Sequence, residues 1–140
     1  MRRLAVLFLI AVFSAAGPAA ADTVVARISL SAQTMRVSVN GEPQYTWKVS
    51  TARRGYRTPT GIFTARWASR HHRSRKYDNA PMPYAIFFKG GYAVHGTYEV
   101  RSLGRPVSHG CVRLHPDNAA IFFALATGNG LANTKIIIAR

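Results

Sequence analysis

Apolar and polar positions alternate along the first half of the chain with a period of two, the signature of strands with one buried face. Val24, Ala26, Ile28 and Leu30 fall on one side of such a strand. Met35, Val37 and Val39 alternate with Arg36 and Ser38, and Tyr45, Trp47 and Val49 alternate with Thr46 and Lys48. Asn40-Gly41 stands between the second and third runs, and this pair favours a tight hairpin turn. The pattern therefore predicts a three-stranded meander with one apolar face. Thr58-Pro59-Thr60-Gly61 reads as a turn and Ile62–Ala65 as a further strand. From Arg66 to Tyr77 basic residues dominate, and Asp78-Asn79-Ala80-Pro81-Met82-Pro83 follows. Residues 66–83 are expected to form a long irregular excursion, of the kind that often carries function. Tyr84–Phe88 is again apolar and β-prone; Gly90-Gly91 turns it into Tyr92–His95.

The period changes near the end. His115-Pro116-Asp117 suits a helix start, with proline in the first turn and an acid at the positive end of the dipole. Ala119–Thr127 carries the helix and Gly128 is expected to stop it. Lys135–Ala139, with three isoleucines, predicts a closing strand. The expected class is mainly β with one clear helix, packed as a sandwich or a partly closed barrel.

The N-terminus breaks this picture. Met1-Arg2-Arg3 is basic, Leu4–Ala16 is a small-to-apolar run too short to span a bilayer, and Gly17-Pro18 ends it. Ala19-Ala20-Ala21 then offers small residues for cleavage before Asp22. Residues 1–21 read as a secretory signal, which leaves one domain at 22–140 with no transmembrane anchor after cleavage and a place in the periplasm or cell envelope. Without Arg2 and Arg3 the 19 basic residues become 17 against five acidic ones, a balance of +12. Interleaved basic and aromatic residues could hold nucleic acid. Export argues against that partner and points to anionic envelope polymers, with a merely solvated basic loop as the plain alternative.

Export also gives meaning to the single cysteine, Cys111. It cannot form an internal disulfide, and a free thiol outside the cytoplasm must be buried or used. Cys111 sits in Ser108-His109-Gly110-Cys111-Val112-Arg113-Leu114, crowded by small and polar residues. Thiols attack as thiolates, so a nucleophilic Cys111 needs an imidazole to take its proton. Two qualify by position. His109 is two residues away, and His95 ends a buried strand before Gly96, which lets another segment approach. Acidic partners are scarce: beyond residue 21 the only ones are Asp22, Glu42, Asp78, Glu99 and Asp117. A backbone carbonyl could orient the imidazole instead. Backbone N–H groups of a His109-Gly110-Cys111 turn could meet an oxyanion.

At these residues the chain resembles the L,D-transpeptidase catalytic domain, the YkuD family. The matching pieces are His95-Gly96-Thr97, Leu103–Val107 and Ser108–Leu114, with twelve residues between His95 and Ser108. Asn40-Gly41, Ser50-Thr51 and Thr58–Phe63 also match, so the likeness covers nearly all of 22–140. It implies a mainly β domain of two mixed sheets, with Cys111 as nucleophile and His95 as general base, oriented by the Gly96 carbonyl. Ser108, His109, Gly110 and Arg113 would shape the site, Arg113 by tuning substrate contact. The implied reaction is acyl transfer on peptidoglycan stem peptides. A thioester forms at meso-diaminopimelate with release of D-alanine, and passes to an amine of another stem, to an envelope protein or to water. No metal or organic cofactor is implied.

Two rivals differ in class. His109, Cys111 and His115 could offer zinc ligands, but their spacing matches no closed structural pattern. A non-catalytic basic module could hold wall polymer, but it leaves the Ser-His-Gly-Cys run without a reason.

Overall fold

A computed structural model describes residues 12–18 and 20–140. Most of the proposed secretory signal lies outside the described residues. The chain runs through β1 (Val24–Ser29), β2 (Thr34–Val39), β3 (Glu42–Lys48), β4 (Gly61–Thr64), β5 (Trp67–Ser74), β6 (Ala80–Lys89), β7 (Tyr92–Gly96), β8 (Val112–Leu114), α1 (Pro116–Asn129) and β9 (Thr134–Ala139). They form two mixed sheets. One has the order β3-β2-β1-β9-β4 and the other β5-β6-β7-β8.

The expected meander is present, with β2 antiparallel to both β1 and β3 around the Asn40-Gly41 turn. The isoleucine-rich β9 lies parallel to β1 and antiparallel to β4, so it is an interior strand of its sheet. That position explains its composition: Ile136 and Ile138 are fully shielded, while the alternate residues face the other side. One core joins the two sheets and α1. It contains Val24, Ala26, Ile28, Met35 and Val37 from the first sheet, Ile86, Phe88, Val94, Val112 and Leu114 from the second, and Phe122 and Ala126 from the helix. Each is 0–2 % exposed, and burial of this kind contributes about 1.5–3 kcal/mol per large apolar side chain.

Two expectations are corrected. Residues 66–83 are not irregular: β5 and the first half of β6 pair as a hairpin, from Trp67↔Phe87 to Ser74↔Ala80. The basic residues suit an edge strand, where charge discourages pairing with another chain. Pro81 and Pro83 are tolerated because this half of β6 pairs only with β5; β7 joins it from Ile86 onward. Second, Gly128 does not stop the helix. It is carried inside the last turn, and α1 ends at Asn129 with Gly130 at φ +90°. The strand β8 is an addition, since alternation over three residues is too short to announce it. It lies parallel to β7, with Val94↔Val112, His95↔Arg113 and Gly96↔Leu114.

Among the described residues no helix is long and apolar enough to cross a membrane.

Candidate active site

The β7/β8 pairing brings the two ends of the sequence motif together. Continued one residue back, the register sets Cys111 opposite Ala93, and the Ala93 N–H points at Cys111 Sγ over 3.4 Å. Residues two apart on a strand share a face, so Cys111, Arg113, Ala93 and His95 all lie on one side of this sheet. The other side gives Val94, Val112 and Leu114 to the main core. The Cys111 side carries its own small apolar cluster of Met82, Ala85, Phe87 and Ala93, against which Cys111 packs. Cys111 and His95 are thus diagonal neighbours, a relation that puts side chains roughly 7 Å apart at their bases. The thiol itself contacts the Gly91 carbonyl at 3.7 Å. Among the described residues no hydrogen bond joins it to His95.

Burial sets the protonation of both groups. His95 is 6 % exposed. Desolvation holds its pKa at about 4, with a smaller push in the same direction from Arg113 and His72. Its Nδ1 lies 2.6 Å from the Gly96 carbonyl. A carbonyl can only accept, so Nδ1 carries the hydrogen and Nε2 presents a lone pair. Burial pushes the Cys111 thiol up, against opposing contributions from the Ala93 N–H and the Arg113 charge. At neutral pH the pair is therefore a thiol and a neutral imidazole, not a preformed ion pair.

The turn before Cys111 is closed by Ser108, which is fully buried. Its Oγ donates to the Cys111 carbonyl at 2.6 Å and accepts from the Gly110 N–H at 3.0 Å. Of the three backbone donors expected to face an oxyanion, that of Gly110 is thus already engaged. Thr58 Oγ1 donates to the Gly110 carbonyl at 2.8 Å. The segment 50–53 runs alongside, exchanging backbone hydrogen bonds between Ser50 and Arg113 and between Thr51, Arg53 and Ser108.

Two glycines are required here. A side chain on Gly96 would meet Pro83, Pro116 and Ala119 at 3.1–3.3 Å, which bears out the expected close approach of another segment. Gly110 has φ +142°, and a Cβ there would lie 2.6 Å from the Tyr92 ring and 3.0 Å from the Arg57 carbonyl. Gly110→Ala is expected to cost about 1–3 kcal/mol of stability through this overpacking and to lower activity by displacing Cys111. Thermal unfolding and turnover check it; a variant with wild-type values for both would show that the turn is not constrained as described.

His109 goes elsewhere. Its ring stacks on Tyr77 at 4.1 Å and 9° and meets the edge of Tyr56 at 4.9 Å. Its pKa is lowered by burial, then by Arg53 and Arg113. Tyr77 comes from the tip of the β5–β6 hairpin, which reaches across to the Cys111 turn. Arg113 pairs with Glu99 at 3.3 Å. His115 Nδ1 accepts from the Asp117 N–H as the helix cap, at 3.2 Å. The three side chains weighed as zinc ligands therefore have separate partners, and among the described residues no three His, Cys, Asp or Glu side chains converge on one point.

A further histidine, His72, joins the Cys111 face of the sheet. Strict alternation would separate it from Trp67, yet both contact Phe87, Trp67 stacked at 3.8 Å and His72 edge-on at 4.9 Å. Tyr84, at φ +55°, interrupts the pairing between Ser69↔Ala85 and His71↔Pro83 and reverses which residues face the site. A hollow of about 640 Å³ involves Gln33, Thr51 and Thr58, behind the 50–58 segment, and Cys111 does not line it. A second, of about 350 Å³, has Arg57, Lys89 and Tyr92 in its wall. Cys111 does not line it either, although its Tyr92 ring lies against Gly110.

The L,D-transpeptidase catalytic domain (YkuD) profile matches residues 23–138. YkuD of Bacillus subtilis is 28 % identical over 117 residues, covering 81 % of this chain and 64 % of that protein. L,D-transpeptidase 1 of Mycobacterium tuberculosis is 32 % identical over 123 residues, covering 76 % of this chain and 48 % of that protein. The chain thus spans about half to two thirds of the length of these relatives. Among solved structures, an L,D-transpeptidase of Mycobacterium smegmatis superposes with a TM-score of 0.75 at 27 % identity, over 85 % of this chain and 59 % of that one. The L,D-transpeptidase LdtMt1 in complex with imipenem gives 0.73 at 30 % identity, over 84 % and 59 %.

Proposed function

This chain belongs to the L,D-transpeptidase catalytic domain family, and we propose on that premise that it is a cysteine acyltransferase acting on peptidoglycan stem peptides in the cell envelope. The observation that supports this best is the placing of Cys111 and His95 on one sheet face, with His95 Nδ1 tied to the Gly96 carbonyl. Rotation about the Cys111 Cα–Cβ bond turns Sγ from Gly91 toward His95 Nε2. The imidazole takes the thiol proton as sulfur attacks the carbonyl carbon of meso-diaminopimelate in a tetrapeptide stem. The tetrahedral oxyanion is met by the backbone N–H groups of His109 and Cys111, held in place by the Ser108 and Thr58 hydrogen bonds. On collapse the C–N bond breaks, and the D-alanine amine leaves with the proton from His95. An acceptor amine then attacks the thioester, gives its proton to His95 and frees the thiol.

The acceptor amine belongs to a second stem, giving a direct cross-link, or to an envelope protein, giving a tethered product. Water in its place gives a trimmed stem. Incubation with purified tetrapeptide muropeptides, followed by mass analysis, is expected to detect released D-alanine with either the cross-linked or the trimmed product. Muropeptides of unchanged mass would contradict the proposal. Imipenem, present in complex with one of the structural relatives, carries a strained acyl group and should acylate Cys111 in the same way.

A further inference from the structure

Between Glu42 and Glu99 the chain holds a single carboxylate, Asp78, among ten lysines and arginines. Two of these cations are brought to the Cys111 turn by different segments, Arg53 by residues 50–58 and Lys76 by the tip of the β5–β6 hairpin. Arg53 lies over the Tyr56 ring at 4.8 Å, and Lys76 over the Tyr77 ring at 5.5 Å. The two rings hold His109 between them, at 4.9 and 4.1 Å. His109 is two residues before Cys111 and Arg113 two residues after it, and Arg53, Lys76 and Arg113 all lie near enough to act on the His109 charge. Among the described residues only Arg113 has a carboxylate partner, Glu99, whose side chain is 71 % exposed. Arg53 and Lys76 are exposed and have no acid within ion-pair distance.

Such an arrangement is held by aromatic contact rather than by salt bridges. Cations over ring faces keep their donors outward and available to a ligand. Three like charges close together repel one another and gain most from an anion. Resting on the transpeptidase reading, we propose that Arg53, Lys76 and Arg113 form a carboxylate-recognising rim that makes the site selective for stem peptides with a free diaminopimelate side carboxyl group over the same stems bearing a carboxamide. A carboxylate offers two oxygens to these donors and a full charge, whereas a carboxamide brings one acceptor, two surplus N–H groups and no charge.

The test uses two tetrapeptide stems that differ only in that group, with D-alanine release as the readout. The wild type should favour the free acid in kcat/KM by roughly tenfold, the size of one charge-assisted contact near the surface. The double variant Arg53→Gln/Lys76→Gln should bring that ratio to about twofold or less, through a higher KM for the free acid. The double variant Arg27→Gln/Arg36→Gln removes the same charge from the cross-strand pair on the other sheet, and should keep the wild-type ratio. Equal use of both stems by the wild type overturns this inference alone. So does an unchanged ratio in the Arg53/Lys76 variant, or an equal loss in the Arg27/Arg36 variant. Release from neither stem overturns the transpeptidase reading and this inference with it.

Discussion

Cys111→Ser is expected to lose D-alanine release from tetrapeptide stems by at least about three orders of magnitude while keeping the fold. The loss follows from the protonation state of the site. Burial already pushes the thiol up, so even the native nucleophile depends on a base at the moment of attack. A serine hydroxyl is far less acidic and a poorer nucleophile, and the same base cannot make good the difference. The fold should survive because the side chain is half-buried and nearly isosteric. Its partners, the Gly91 carbonyl and the Ala93 N–H, can both bond a hydroxyl. A change in stability within about 1 kcal/mol is anticipated, in the ordinary range for such a substitution. Parallel turnover assays and thermal melts separate the two effects. Turnover by the serine variant within tenfold of wild type would remove Cys111 from the chemistry.

The second large effect is at His95. His95→Gln should lower turnover by about 10²–10⁴-fold, the usual worth of a positioned general base. His71→Gln and His72→Gln should change it far less. His72 lies close enough to bear on the His95 charge, but its ring is engaged with Trp67 and Phe87. The pH profile gives an independent reading. A base with a pKa of about 4 stays neutral and competent well below the range of an ordinary histidine. Turnover should therefore hold from neutrality down to about pH 5 and fall as the pH drops through 4. Stability follows the same group. The unfolded histidine titrates at its ordinary 6.5 and the folded one at about 4, so between these values the unfolded chain holds more protons. The contribution of His95 is present above pH 6.5 and is lost as the pH falls toward 4, by about 3 kcal/mol in all. His95→Gln should lack that part of the acid sensitivity. Equal loss of activity in all three histidine variants, or an acid limb centred near 6.5, would show that another group is the base.

How much of this the chain announces depends on how locally each feature is determined. The alternation of Val24–Leu30 and Met35–Val39 and the Asn40-Gly41 turn are short-range signals, and the strands formed as read. The hairpin of β5 and β6 was hidden because its outer strand has two largely solvated faces. Arginines and histidines there carry no period, and Pro81 and Pro83 mimic a loop. Its reversal at Tyr84, which delivers His72 to the site, depends on one backbone angle that nothing in the residue type foretells. Gly128 and Gly130 offer equivalent stops to a reader of sequence; the Asn129 side chain, which reaches back to the Leu125 carbonyl at 3.0 Å, belongs to the longer helix. At the site, Cys111 and His95 stand out by residue type and motif. The Tyr56–His109–Tyr77 stack does not, because its members lie 53 and 32 positions from His109 along the chain and only the folded hairpin unites them. Thr58 lay within a turn motif that matched the family, yet its bond to the Gly110 carbonyl becomes visible only once that turn folds against residues 108–111.

The central claim is that Cys111 itself forms the covalent acyl bond. Intact-mass measurement after incubation with imipenem, with peptide mapping of the adduct, tests it most directly. One equivalent of added mass on the wild type, located on the peptide containing Cys111 and missing from Cys111→Ser, is the predicted result. Equal labelling of both proteins, or an adduct on any other residue, would contradict it.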